Sequence, residues 1–126
     1  MGQQPNALRG IKITQMILRT AFLLALVIGL GGMFGWLPFT PATVDLHIAS
    51  GIIVAISMAA LAASIGRFRR PGAAVLWTGV LLVVVGGFMG LYWHIAGTAL
   101  GLAHLALMLV AMGLAEMGAA RAKKSA

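Results

Sequence analysis

Four apolar runs, each long enough for a helix to cross a bilayer, constrain this chain more than anything else in its sequence. A hydrocarbon core of roughly 30 Å takes about 20 helical residues to span, and residues 16–37, 44–65, 73–93 and 95–117 meet that length. Breakers separate the runs: Pro38, Thr40 and Pro41, then Arg67-Phe68-Arg69-Arg70-Pro71-Gly72, then a turn from Tyr92 to Thr98 that holds Gly97. Proline and glycine in these places end helices. Composition points the same way. Only 9% of the 126 residues are charged and 61% are hydrophobic, whereas a soluble domain carries about a quarter charged residues. With a mean hydropathy of +1.03, a water-soluble αβ enzyme is excluded. The absence of cysteine excludes a disulfide-stapled secreted domain. The expected architecture is all-α: one integral-membrane unit, an up-down-up-down four-helix bundle. Residues 1–10 are polar and no small-residue cleavage site follows a short apolar core, so the first run reads as a span and not as a signal peptide.

The charges orient the bundle. Arg9, Lys12 and Arg19 precede or open the first run, Arg67, Arg69 and Arg70 fill the second turn, and Arg121, Lys123 and Lys124 follow the last run. All nine basic residues therefore fall at one end. The positive-inside rule places both termini in the cytoplasm, which fits a bacterial inner membrane. The net charge of +7 is thus an orientation signal and a contact for anionic lipid headgroups. It is not a nucleic-acid footprint, since no basic face is interleaved with aromatics. Trp36, Tyr92 and Trp93 fall at the opposite boundary, where an aromatic belt is expected.

The two halves of the chain echo one another. Gly31-Gly32-Met33-Phe34-Gly35-Trp36 closes the first run and Gly86-Gly87-Phe88-Met89-Gly90-Leu91 closes the third. Eleven residues after Trp36 comes His47, and eleven after Trp93 comes His104. The glycine pairs align at an offset of 55 and the Trp and His pairs at 57. Two copies of one helical hairpin, running in the same direction, would be related by an axis along the membrane normal. The second and fourth helices then become diagonal partners, each bringing one histidine to the bundle centre.

A polar ionisable side chain inside a span usually faces the bundle interior. Two facing imidazoles are what a bis-histidine haem requires. Gly97, Gly101 and His104 follow one another at steps of four and three, and Gly51 lies four residues after His47. Small residues on the histidine face would leave room for a flat macrocycle. Gly79, Gly86 and Gly90 suit plain helix–helix contact, and Met108 suits packing. A zinc or copper site lacks ligands, because cysteine is absent and the two carboxylates, Asp45 and Glu116, lie at opposite ends. His94 reads as an interfacial residue.

The stretch Val44-Asp45-Leu46-His47-Ile48-Ala49-Ser50-Gly51, with Gly86-Gly87 and Ala103-His104-Leu105-Ala106, resembles one four-helix unit of the haem A synthase family. Other four-helix b-type membrane cytochromes share these motifs. The resemblance covers most of the chain and implies one haem-binding unit with His47 and His104 as the axial pair. Two departures limit what it implies. The family joins two such units, and its catalytic unit carries a glutamate three residues before the first histidine, where this chain has Val44. Asp45 stands two residues before His47, about 200° away around a helix. Haem binding therefore carries over and the oxidation chemistry does not.

The expected function is a membrane b-type cytochrome. It would hold haem b at His47 and His104 beside Gly51, Gly97 and Gly101, and exchange electrons with a quinone or a redox protein without catalysis of its own. The alternative is an accessory or anchoring subunit of a larger respiratory or photosynthetic complex, or a homo-oligomer, with histidines that bind a chlorophyll-type pigment or no cofactor. No cation lies near the histidine end to meet haem propionates, which leaves Trp36, Thr40, Thr43, Tyr92, Trp93 and Thr98 as hydrogen-bond donors there.

Overall fold

The structure, a computed structural model, describes residues 4–125, and side chains from residue 8 onward apart from residues 93–96. Four helices follow in order: α1 (Gln4–Met33), α2 (Pro41–Arg67), α3 (Ala73–Ala96) and α4 (Thr98–Lys124). Each contains a segment long and apolar enough to cross a membrane: Leu8–Met33, Pro41–Arg67, Ala73–Tyr92 and Thr98–Lys124. The chain is an all-helical membrane bundle of four elements.

The first helix starts and ends earlier than its apolar run, which spans residues 16–37. It begins near Pro5, where a missing N–H costs nothing. Its opening turns carry Ile11, Gln15 and Leu18, all buried on one stripe. It stops at Met33 because Gly35 takes a left-handed φ of 77°. The chain then folds back, and the Leu37 N–H donates to the Gly31 carbonyl at 2.9 Å. The α2 start is specified locally. Thr40 and Thr43 form a reciprocal capping box and Pro41 is the first helical residue. Its end is a Schellman motif: Arg70 N–H reaches Ile65 O at 3.0 Å and Arg69 N–H reaches Gly66 O at 2.9 Å. Arg69 holds the left-handed position, φ 51°, that glycine usually occupies.

Packing follows the hairpins. The most extensive helix contacts are α3 with α4 and α1 with α2; α2 with α3 comes next, and α1 with α4 and the diagonal α2 with α4 touch little. The buried core gathers toward the basic end, from Ile11 and Leu18 on α1 through Met58, Leu61 and Ile65 on α2 and Leu76 on α3 to Ala111, Ala115, Ala119 and Ala122 on α4. Small residues there let backbones approach closely. Gly72 packs against the Gly118 carbonyl, and a side chain on Gly79 would meet Ala111 O at 3.3 Å. Toward the other end the two hairpins part.

Candidate functional site

The parting of the hairpins leaves a cavity of about 490 Å³ between all four helices, within the usual range of roughly 300–1,000 Å³ for cofactor and ligand sites. Its lining is almost wholly apolar. Among the described residues, His47 and His104 are the only titratable ones that line it. Each histidine is the seventh residue of its helix, so both lie about 9 Å below their helix starts. The two imidazole centroids are 6.1 Å apart, with ring planes at 62°.

Each ring is aimed by its own hairpin. His47 Nδ1 donates to Ala25 O on α1 at 2.9 Å, and His104 Nδ1 donates to Gly86 O on α3 at 2.6 Å. A carbonyl accepts only, so the proton sits on Nδ1 and Nε2 keeps its lone pair. That is the arrangement in which a protein presents imidazole to a metal: one nitrogen tied to a carbonyl, the other free to coordinate. A glycine one turn beyond each carbonyl leaves space for the ring. A Cβ on Gly29 would stand 3.0 Å from His47 Cε1, and one on Gly90 would stand 3.1 Å from His104 Cε1 and Nδ1.

The spacing separates two uses of such a pair. Imidazoles hydrogen-bonded to each other would bring their centroids to about 5 Å. Two imidazoles on opposite sides of one metal, with bonds of about 2.0–2.1 Å, place them about 6.4 Å apart. The observed 6.1 Å, with planes at 62°, is the spacing of an edge-on ring contact and also lies near the second figure. Among the described residues, no three or more His, Cys, Asp or Glu side chains come together. Two nitrogens alone do not complete a metal's coordination, so the remaining donors have to come with the ligand, as a porphyrin's four nitrogens do.

Of the glycines expected beside the histidines, Gly51 and Gly101 line the cavity. A Cβ on Gly51 would meet nothing within 4 Å. Gly97 has another task and does not line the cavity. It is the N-cap of α4 at φ 78°, ψ −169°, a conformation essentially restricted to glycine. The one-residue turn from α3 to α4 requires it. Gly90, read from sequence as a plain contact glycine, lies over His104. Gly29 and Gly87, which also line the cavity, were not distinguished by sequence. Gly86 does pack against α4, at Leu107 and Met108, and also supplies the carbonyl for His104.

The internal repeat is visible in how each histidine is anchored but is shifted from the glycine-pair alignment. Ala25 and Gly29 do for His47 what Gly86 and Gly90 do for His104, an offset of 61 and not 55. Gly31 and Gly32 make room instead for Leu37 and Phe39 as the loop folds back. Other expectations also change. Thr43 spends its hydroxyl proton on Pro38 O or Thr40 O, at 2.9 and 3.0 Å, and so is no free donor. Trp36 and Tyr92 are exposed and do not line the cavity. The side chains of Trp93 and His94 lie outside the described residues. Asp45 is exposed and stands away from the cavity lining.

A polar clasp that the reading of the charges as topology signals passes over joins α1 and α4. Glu116 accepts Arg19 Nε and Nη2, both at 2.7 Å, and Gln15 Nε2 at 2.7 Å, while Lys123 bonds Gln15 Oε1. It lies on the basic side of the cavity, where α1 and α4 otherwise touch little. No protein-family model, curated protein or solved structure matches the chain.

Proposed function

We propose that this protein is a membrane b-type cytochrome that binds one haem b between α2 and α4 and passes single electrons to or from a quinone or a redox protein. The observation that carries the reading is the pair of carbonyl-anchored imidazoles 6.1 Å apart in an apolar cavity of about 490 Å³. His47 and His104 would hold the group through Nε2. When bound, haem supplies a one-electron iron couple whose potential is set by axial ligands and burial. The chain's own residues orient and exclude. The Ala25 and Gly86 carbonyls fix the imidazole planes, Gly51, Gly87 and Gly101 leave space, and Phe22, Leu26, Val83 and Leu105 keep water out. With His47 and His104 both holding the group, the chain would offer no position for a substrate and would act as a carrier and not a catalyst. The nine basic residues at one end orient both termini to the cytoplasmic side of a bacterial inner membrane, against anionic headgroups.

A role as an anchoring subunit with chlorophyll-type pigment fits the site less well. A pigment magnesium takes one imidazole for each macrocycle, and rings 6.1 Å apart leave no room for two macrocycles between them. The test is a dithionite-reduced minus oxidised spectrum of the purified chain supplied with haem. Sharp cytochrome bands are expected, and both His47→Ala and His104→Ala should remove them. Absent bands in the parent protein, or bands that survive both substitutions, would overturn the reading.

A further inference from the structure

The cavity is not closed equally on all sides. On α2, Ile48 and Ile52 line it one helical turn apart; on α3, Val84, Phe88 and Leu91 line it at steps of four and three. These five are also among the exposed apolar residues, with Ile52 at 54% and Phe88 at 62%. The lining residues that α1 and α4 contribute, among them Leu26, Leu30, Leu105 and Met108, are half-buried or buried. The open side is therefore the seam between α2 and α3, and topology explains it. These helices are joined by the short Arg67–Gly72 turn at the basic end, pack there through Leu61, Ile65 and Leu76, and diverge toward the histidine end. The Glu116 clasp joins α1 to α4 at that same basic end.

We infer that the slot between α2 and α3, lined by Ile48, Ile52, Val84, Phe88 and Leu91, is a lateral passage through which a lipid-dissolved planar macrocycle slides edge-first from the bilayer to His47 and His104. The inference rests on the haem reading and adds a route and a physical state for the incoming group. The slot contains only hydrocarbon side chains, so nothing in it replaces the hydration of a ligand arriving from water. A ligand already dissolved in the membrane has lost that hydration beforehand. The passage ends where the imidazoles begin, on the faces of α2 and α4 that look into the cavity.

The test is the rate at which the bis-histidine spectrum develops when the whole chain, reconstituted in liposomes without haem, is mixed with liposomes carrying haem b. Ile52→Trp and Val84→Trp narrow the slot from lipid-facing positions and should slow loading about tenfold, read as a rate constant normalised to each variant's own final amplitude. Phe88→Ala widens it and should accelerate loading. Leu109→Trp, exposed on α4 and outside the lining, should leave the rate as it is. If the parent protein develops no spectrum, the haem reading itself falls. If it does, but both tryptophan variants load at the parental rate, or Leu109→Trp slows loading as much as they do, the passage is overturned and the haem reading stands.

Discussion

At the scale of single residues, the site is built from what lies behind each imidazole. A hydrogen bond to a carbonyl is worth only about 1 kcal/mol net, but it removes one tautomer and fixes the ring plane. Gly29 and Gly90 then decide whether the ring fits. At 3.0–3.1 Å from the ring, an alanine methyl demands a small displacement, and a valine at either position demands more. Gly29→Val and Gly90→Val are expected to weaken haem binding strongly and the alanine variants only modestly, as measured by haem titration. Gly51 makes the opposite case. An added methyl meets no protein atom, and replacing a mid-helix glycine by alanine stabilises a helix by roughly 0.5–1 kcal/mol. Gly51→Ala should therefore resist SDS unfolding better than the parent chain while binding haem less well, because the methyl occupies cavity space beside His47. A variant that lost both stability and haem would show Gly51 to be a packing residue.

At the scale of elements, what could be read from sequence was what depends on neighbours along the chain. The four helices, the breaks at Pro41 and Gly72, and the depth of both histidines follow from local patterns. The α1 boundaries do not, since Ile11 and Gln15 become helical core only when other helices cover them. The clasp was hidden for the same reason. Its partners stand 97 to 108 residues apart, and Arg19 also reads as a topology charge. A signal existed: Gln15 and Arg19 are four residues apart on one helix face, and Glu116 is the sole acid of an apolar helix. Removing Glu116 leaves the donors of Gln15 and Arg19 without their acceptor. Polar contacts between membrane helices are worth about 0.6–2 kcal/mol, so Glu116→Ala should lower stability against SDS by about that much. Arg19→Lys should not rescue the contact, because a single ammonium cannot reproduce the two-pronged bond to both carboxylate oxygens.

At the scale of the whole molecule, the chain is two hairpins that each finish half a site. His47 is oriented by α1 and His104 by α3, so neither ring depends on the other hairpin for its plane. The hairpins set only the distance between the rings. The four-residue difference between the offset of the carbonyl–glycine pairs and that of the histidines is a six-residue difference between the turns, less the two residues by which α3 runs further past Gly86 than α1 runs past Ala25. Residues 34–40 connect the first hairpin, and Gly97 alone connects the second. That loop difference is why a repeat search on glycine pairs finds the duplication but misplaces its register by more than a turn. If each hairpin is self-sufficient, cutting the connection between them should be tolerated. A break between Phe68 and Arg69 keeps the Arg70 contact to Ala122 O, at 3.1 Å, and the Gly72 contact to Gly118 inside the second fragment. Fragments 1–68 and 69–126, co-expressed, are expected to associate in the membrane and give the parent spectrum, while neither alone should give it, since each carries one of the two cavity histidines. Because association relies on the α2–α3 contact and the clasp, Glu116→Ala should weaken reassembly far more in the split protein than it lowers stability in the intact chain. Equal effects would show that the α2–α3 contact alone holds the fragments together.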